Sequence, residues 1–266
     1  SLESELGVHL FLKCGRSIKL TRYGEEFYRY VSASLSELDK GIAVIQEHVK
    51  DVGGSINIGC ISTLLAGFMA QAMHQYHKSV SPKTVFHVFE TPTAVAIQGL
   101  KSETYDLAFC SRVDEADIRF VPILKQEIVA LVNRSHPLAK DSEISLENLK
   151  DYNLITYRSD IQIGKDIGAL LNEHGLKADQ PFMEEGSIGA SVQLDKIVGI
   201  VADTVWLSQY PELVKIHFSD IPKDFRKVYM GYYKKHFITR PAERFMDFVT
   251  ANLDSLVSGA ELLDTR

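Results

Sequence analysis

Between Val31 and Val49 the apolar residues Val31, Leu35, Leu38, Ile42, Ile45 and Val49 follow one another at spacings of four, three, four, three and four. Such a run is an a/d seam on one long helix, and a seam of that kind is buried only against another helix. Thr21 suits an N-cap, so the helix is expected to run from about Arg22 to Lys50. At 1.5 Å per residue it is a rod roughly 44 Å long. A short basic stretch precedes the rod, and Gly53-Gly54 and a long α/β-patterned segment follow it. A head, a pairing rod and a body describe a protein that associates and passes a signal along its length. An isolated enzyme has no use for the rod.

The head is brief. Ser1–Leu6 reads as the end of a helix, with Gly7 as its stop. Val8–Leu12 and Ser17–Leu20 are short β-prone runs on either side of a turn, Lys13-Cys14-Gly15-Arg16. The chain carries a net charge of −6, which disfavours contact with nucleic acid. The distribution matters more than the sum. Residues 1–22 hold Lys13, Arg16, Lys19 and Arg22 against Glu3 and Glu5. A basic head on an acidic body fits DNA contact confined to one end, with Lys13, Arg16 and Lys19 as the contacting cations.

Hydrophobic residues make up 45% of the chain and charged residues 24%, the balance of an ordinary globular protein. No apolar run approaches the roughly 18 residues of a membrane span. Ser1–Leu10 holds two glutamates and no basic start of a signal peptide. The three cysteines, Cys14, Cys60 and Cys110, are odd in number and lack framework spacing, which favours a reducing, cytoplasmic compartment. No CxxC or HExxH spacing occurs, so neither a metal nor a cofactor is expected.

From Ser55 the pattern alternates between strands and helices. Ile56–Cys60, Val85–Glu90 and Asp106–Cys110 read as strands, with helices near 64–78 and 94–102 between them. This alternation predicts right-handed βαβ units on a parallel sheet. Val121–Leu124 and Ile128–Val132 are further strands. A second α/β set follows: strands at Asn153–Tyr157, Phe182–Glu185, Gly199–Ala202 and Leu213–His217, and helices at Ile163–His174 and Ser187–Asp195. Val228–Tyr233 is a last strand and Ala242–Leu253 a closing amphipathic helix. Two α/β lobes imply a cleft, and ligands of open parallel sheets sit where strands end and helices begin. Those junctions carry Ser62-Thr63, Thr91-Pro92-Thr93 and Gly186-Ser187. Hydroxyls and free N–H groups at helix starts suit an anion, although any one of them also serves as a plain N-cap.

At this point the chain resembles the LysR-type transcriptional regulators. Glu5-Leu6-Gly7-Val8-His9-Leu10-Phe11 is similar to that family's ELGVxLF segment at the end of the recognition helix, and Gly15-Arg16 with Lys19-Leu20-Thr21-Arg22-Tyr23-Gly24 to its wing and LTxxG motif. Gly59 and Ser62-Thr63 fit its first strand and first ligand loop. Asp106-Leu107-Ala108 fits its DLA strand, Ser135-His136-Pro137-Leu138-Ala139 its HPLA segment, and Val198-Gly199-Ile200-Val201 its late Gly-Ile turn. That turn runs on into Ala202-Asp203 where the family often has a proline. The helices that precede the ELGVxLF segment in the family would stand before Ser1. The resemblance implies an α/β, two-lobed effector domain like a type 2 periplasmic binding protein, preceded by a linker helix and part of a winged helix-turn-helix. It implies a head at 1–21, a dimerisation helix at 22–52, a first lobe at 54–130 with 234–266, and a second lobe at 131–233. It also implies DNA and a small effector as partners, and a homodimer or homotetramer, without a membrane.

Single residues sharpen this outline. Arg112 and Arg158 follow strand ends, one in each lobe, and either suits an effector carboxylate or a surface ion pair. Ile161 and Gln162 share the loop of Arg158. The expected effector site is therefore Ser62, Thr63, Thr93, Arg112, Arg158, Ile161, Gln162 and Ser187, taking a small anionic metabolite. Cys60 and Cys110 read as small hydrophobes, His136 as structural, and Trp206 as a packing anchor. His74 and His77 lack a third ligand. Two other functions use such a scaffold: a solute-binding protein of the same bilobal fold, and an α/β enzyme such as a prephenate dehydratase-like protein. Neither needs the rod, and no Ser-His-Asp set, carboxylate pair or phosphate loop stands out for catalysis.

Overall fold

The computed structural model describes residues 2–15, 17–50, 53–194 and 196–256, without the side chains of Cys14 and of several residues in 36–50. Arg16 and the side chain of Val49, both expected to function, lie outside the described residues. The chain forms two units, Ser1–Val52 and Gly53–Arg266.

In the first unit the helix Leu2–Leu6 stops at Gly7, whose φ of 70° is open to glycine at little cost. The Glu3 carboxylate then accepts hydrogen bonds from the backbone N–H groups of Leu10 (2.6 Å) and Phe11 (3.1 Å). This tie delays the first strand to β1, Phe11–Cys14, rather than Val8–Leu12. β1 pairs antiparallel with β2, Ser17–Leu20, from Phe11 opposite Leu20 to Cys14 opposite Ser17. Thr21 caps the long helix: its Oγ1 accepts from the Gly24 N–H at 2.9 Å and donates to the His9 carbonyl at 2.7 Å. The helix runs Arg22–Lys50. Along it Leu35, Leu38, Ile42 and Ile45 are exposed in the single chain, and Val31 is half-buried.

The second unit holds two sheets. The first has the order β4-β3-β5-β13-β6 and the second β10-β9-β11-β7-β12-β8. In the first lobe β3 (Ser55–Cys60), β4 (Val85–Glu90) and β5 (Leu107–Ser111) run parallel. Helices over 62–79 and at Thr93–Lys101 connect them. The first of these widens to a π-helical turn at Leu65–Met69. β6 (Ile118–Gln126) then leads across to β7 (Ile128–Asn133) in the second lobe. The second lobe continues through β8 (Glu143–Ile144), β9 (Leu154–Tyr157), the helix Gln162–Glu173 and β10 (Ala178–Phe182). After the helix Glu185–Leu194 come β11 (Val198–Ala202) and β12 (Leu213–Phe218). The chain returns to the first lobe as β13 (Arg226–Tyr233) and ends its described part with the helices Arg240–Ala251 and Leu253–Leu256.

Three sequence expectations are corrected. The sheets are mixed rather than parallel, because the strands that cross between lobes run against their neighbours: β13 is antiparallel to β5 and β6, and β7 to β11 and β12. The lobe boundaries accordingly fall at Glu127 and within 219–225, not at 130 and 233, since Arg226–Tyr233 hydrogen-bonds into the first sheet. Phe182–Glu185 is not a strand. The strand lies earlier, at Ala178–Phe182, and Glu185 already opens a helix.

Each lobe has its own core. The first is aromatic, with Phe245 edge-on to Tyr76, Phe86 and Phe109 at centroid distances of 5.3, 4.9 and 6.3 Å. The second is aliphatic, built on Ile128, Val129, Val132, Ile200 and Val201. Cys60 and Cys110 are both buried, and Cys60 lies opposite Phe109. Since side chains alternate along a strand, Cys110 points to the other face of the sheet. Burial pushes the Cys110 thiol up to about 12 and the Cys60 thiol higher, which keeps both protonated.

Candidate functional site

At the carboxyl ends of β3 and β4 the chain turns into helices, and these turns face the helix Gln162–Glu173 of the second lobe. A cleft of about 240 Å³ lies there. Its first-lobe wall is Ile61, Ser62, Glu90, Thr91, Pro92 and Thr93, its second-lobe wall is Ile161, Gln162, Ile163 and Met183, and Arg226 closes its floor. The helices beginning at Ser62, Thr93 and Gln162 follow Ile61, Pro92 and Ile161, which make no side-chain cap. Their first N–H groups and the positive ends of their dipoles are thus left for something else to satisfy. Gly164 permits the third start to sit close, since a Cβ there would meet the Arg158 carbonyl oxygen at 1.9 Å.

Arg226 is the one cation among the described residues that line the cleft. It is 4% exposed. Its Nη1 donates to Thr63 Oγ1 at 2.8 Å and to Gln126 Oε1 at 2.9 Å, both neutral oxygens. Its Nε, fully buried, has no partner among the described residues. Burial lowers the Arg226 pKa, while the nearby Tyr157, Glu185 and Asp166 oppose that shift. On the second-lobe side, Glu185 is buried and accepts the Tyr157 hydroxyl proton at 2.8 Å. The Tyr157 oxygen in turn accepts from the Ala202 N–H at 3.0 Å. Burial raises the Glu185 carboxyl above the usual range.

Residues 50–254 match the family model of the LysR substrate binding domain. The chain belongs to the LysR family. This is a family of transcriptional regulators, not of enzymes. The chain is 25% identical over 259 residues to the uncharacterized HTH-type transcriptional regulator YybE of Bacillus subtilis, covering 94% of this chain and 86% of that one. It is 26% identical over 182 residues to the regulator BenM of Acinetobacter baylyi, covering 66% of this chain and 59% of BenM. Among solved structures it is similar to the effector binding domain of QuiR in complex with shikimate. That match has 29% identity and a TM-score of 0.67, and covers 76% of this chain and 98% of QuiR's. The two-lobed body is thus the LysR effector-binding unit.

Within this LysR body, Ser62, Thr93, Ile161 and Gln162 come together on the cleft wall. The other expected site residues stand elsewhere. Thr63 is buried behind the wall, where its hydroxyl supports Arg226. Arg112 is exposed and outside the described lining. Arg158 is exposed and pairs with Asp160 two residues on. Ser187 lies at a helix start that is already filled: the Glu184 carboxylate accepts from the Gly186 N–H at 2.7 Å and from the Ser187 N–H at 2.9 Å. The residue that sequence reasoning missed is Arg226. It stands two places before Val228, and nothing in its neighbourhood marks it; only the antiparallel return of β13 brings it to the cleft. Among the described residues no group of three or more His, Cys, Asp or Glu is placed to hold a metal, and no helix is long and apolar enough to cross a membrane.

Proposed function

We propose that the chain is a ligand-responsive, DNA-binding regulator whose cleft takes a small metabolite by its carboxylate. Arg226 carries this reading. A guanidinium stays charged at any ordinary pH. Here it is buried, held by two neutral oxygens, and left with an unpartnered Nε. A buried charge in that state is costly, and a carboxylate from the ligand removes much of the cost. The uncapped helix starts at Ser62, Thr93 and Gln162 add N–H donors around the same space. Shikimate, named for QuiR, is such a carboxylate.

The cleft is walled by both lobes, so a bound ligand favours one lobe arrangement by its differential affinity. The exposed seam of the helix Arg22–Lys50 supports pairing with a second copy, as homodimer or homotetramer. Lys13 and Lys19 on the β1–β2 hairpin would meet DNA phosphate, together with Arg16, which lies outside the described residues. The compartment would be the cytoplasm. The test is calorimetric titration of the full chain with shikimate and a panel of small carboxylates. Arg226→Gln is expected to weaken any binder by about 1.5–3 kcal/mol, the usual worth of a hydrogen bond to a charged group. Arg226→Lys, which keeps the charge but not the fork, is expected to fall between. A binder whose Kd neither variant changes overturns the reading.

A further inference from the structure

The cleft has a charged group at each end. β3, β4 and β5 are parallel and end on one edge of the first sheet; β13 runs against them, so Arg226 starts at that same edge. In the strand order, Glu90 at the end of β4 and Arg226 at the start of β13 are separated by β3 and β5. Three strand spacings put their backbones roughly 14 Å apart across the sheet. Both side chains line the cleft. Glu90 is exposed and has no ion pair among the described residues. The wall facing them across the cleft, Ile161, Ile163 and Met183, is largely apolar.

The described lining of the cleft adds no second cation. Asp166, which accepts from Gln162 Nε2 at 2.8 Å, acts on Arg226 with its negative charge. One guanidinium therefore faces an excess of carboxylates. A ligand bearing two negative charges would satisfy Arg226 with one and set the other against Glu90, where like charges repel. A hydroxyl or ammonium at that end would instead donate to Glu90.

We infer that the effector is a monoanion: a carboxylate at the Arg226 end, an apolar body along the isoleucines, and a hydrogen-bond donor at the Glu90 end, with Glu90 as the residue that rejects dicarboxylates. This rests on the proposed function and names the ligand class of that same site.

Four acids of one chain length isolate the terminal group: caproate, ε-hydroxycaproate, ε-aminocaproate and adipate. Each is titrated into the full wild-type chain and into Glu90→Gln, with shikimate as a ring-shaped hydroxylated monocarboxylate. In the wild type, adipate is expected to bind at least about tenfold more weakly than the better of the two donor-bearing acids. The hydroxy and amino arms tell which donor Glu90 prefers. In Glu90→Gln, adipate is expected to gain about tenfold, and the preferred donor-bearing acid to lose several-fold. Should only shikimate bind, its several-fold weakening in Glu90→Gln supports the inference and an unchanged Kd overturns it. Adipate binding as well as the donor-bearing acids, or a ratio that Glu90→Gln leaves alone, also overturns it. If that happens while Arg226→Gln still weakens binding, the carboxylate site stands and only the role of Glu90 falls. If no acid binds the wild type at millimolar concentration, both readings fall together.

Discussion

The helices Arg22–Lys50 and Arg240–Ala251 carry the same kind of apolar stripe and meet opposite fates. In the second, Ala242, Phe245, Phe248 and Val249 are buried against the aromatic core of the first lobe. In the first, Leu35, Leu38, Ile42 and Ile45 remain 46–63% exposed. An amphipathic pattern says only that a face must be covered. The body covers its stripe within the chain; the rod leaves a 29-residue helix with its seam open. Helical stability comes mostly from tertiary packing of that face, so the open seam points to a second copy.

The contrast is open to direct attack. Phe245→Ala empties a site contacted by the rings of Tyr76, Phe86 and Phe109. It is expected to cost the body about 3–5 kcal/mol in denaturant unfolding, with the association of the rod unaffected. A cost under about 1 kcal/mol would mean that this stripe is no better used than the other. Leu38→Asp with Ile42→Asp should do the reverse: light scattering reports a fall in mass, while the unfolding of the body stays put. Retention of the wild-type mass would show that the rod is not the main contact.

Two carboxylates extend the comparison to polar groups. In the head, the N–H groups of Leu10 and Phe11 hold the Glu3 carboxyl below its usual range. Its contribution is therefore present above the ordinary value near 4.5 and lost as pH falls through the lowered one. In the body, burial raises Glu185, so stability is fullest below the ordinary value and declines as pH rises toward the raised one. Glu185→Gln, which keeps an acceptor for Tyr157, should gain Tm relative to wild type progressively as pH rises above the ordinary value near 4.5. A difference that does not change with pH above that value would mean that Glu185 stays charged in the fold. The smallest effect belongs to an isolated apolar side chain. Leu194 is 88% exposed and lies outside any stripe, so Leu194→Ser should stay within about 0.5 kcal/mol of wild type and leave the mass alone.

The residues that announced themselves in the sequence did so through local pattern. The seam, the Thr21 cap and the Gly7 stop need only neighbours a few places away. So do the first-lobe strands, whose parallel pairing follows from the alternation around them. Ser62, Thr93, Ile161 and Gln162 were readable because a strand end followed by a helix start is itself a local event. Arg226 was not, because its place depends on where β13 returns, a long-range pairing with β5 and β6. Ser187 shows the opposite failure. Gly186-Ser187 has the look of an open helix start, and the preceding Glu184, which fills it, reads in sequence as one more strand residue.

Among the described residues the chain passes between the lobes twice, at Glu127 and through 219–225. The first leaves β6, at one edge of the first sheet, and the second returns to β13 beside it. A turn of one lobe about the line joining the two passages would change the width of the cleft mouth and leave the pairing within each sheet alone. Beside that line Gln126, the last residue of β6, accepts from Arg226, the first of β13. The group offered to the ligand is thus tied to the place where the chain crosses between lobes, where a small side-chain displacement would have the most leverage on the angle between them.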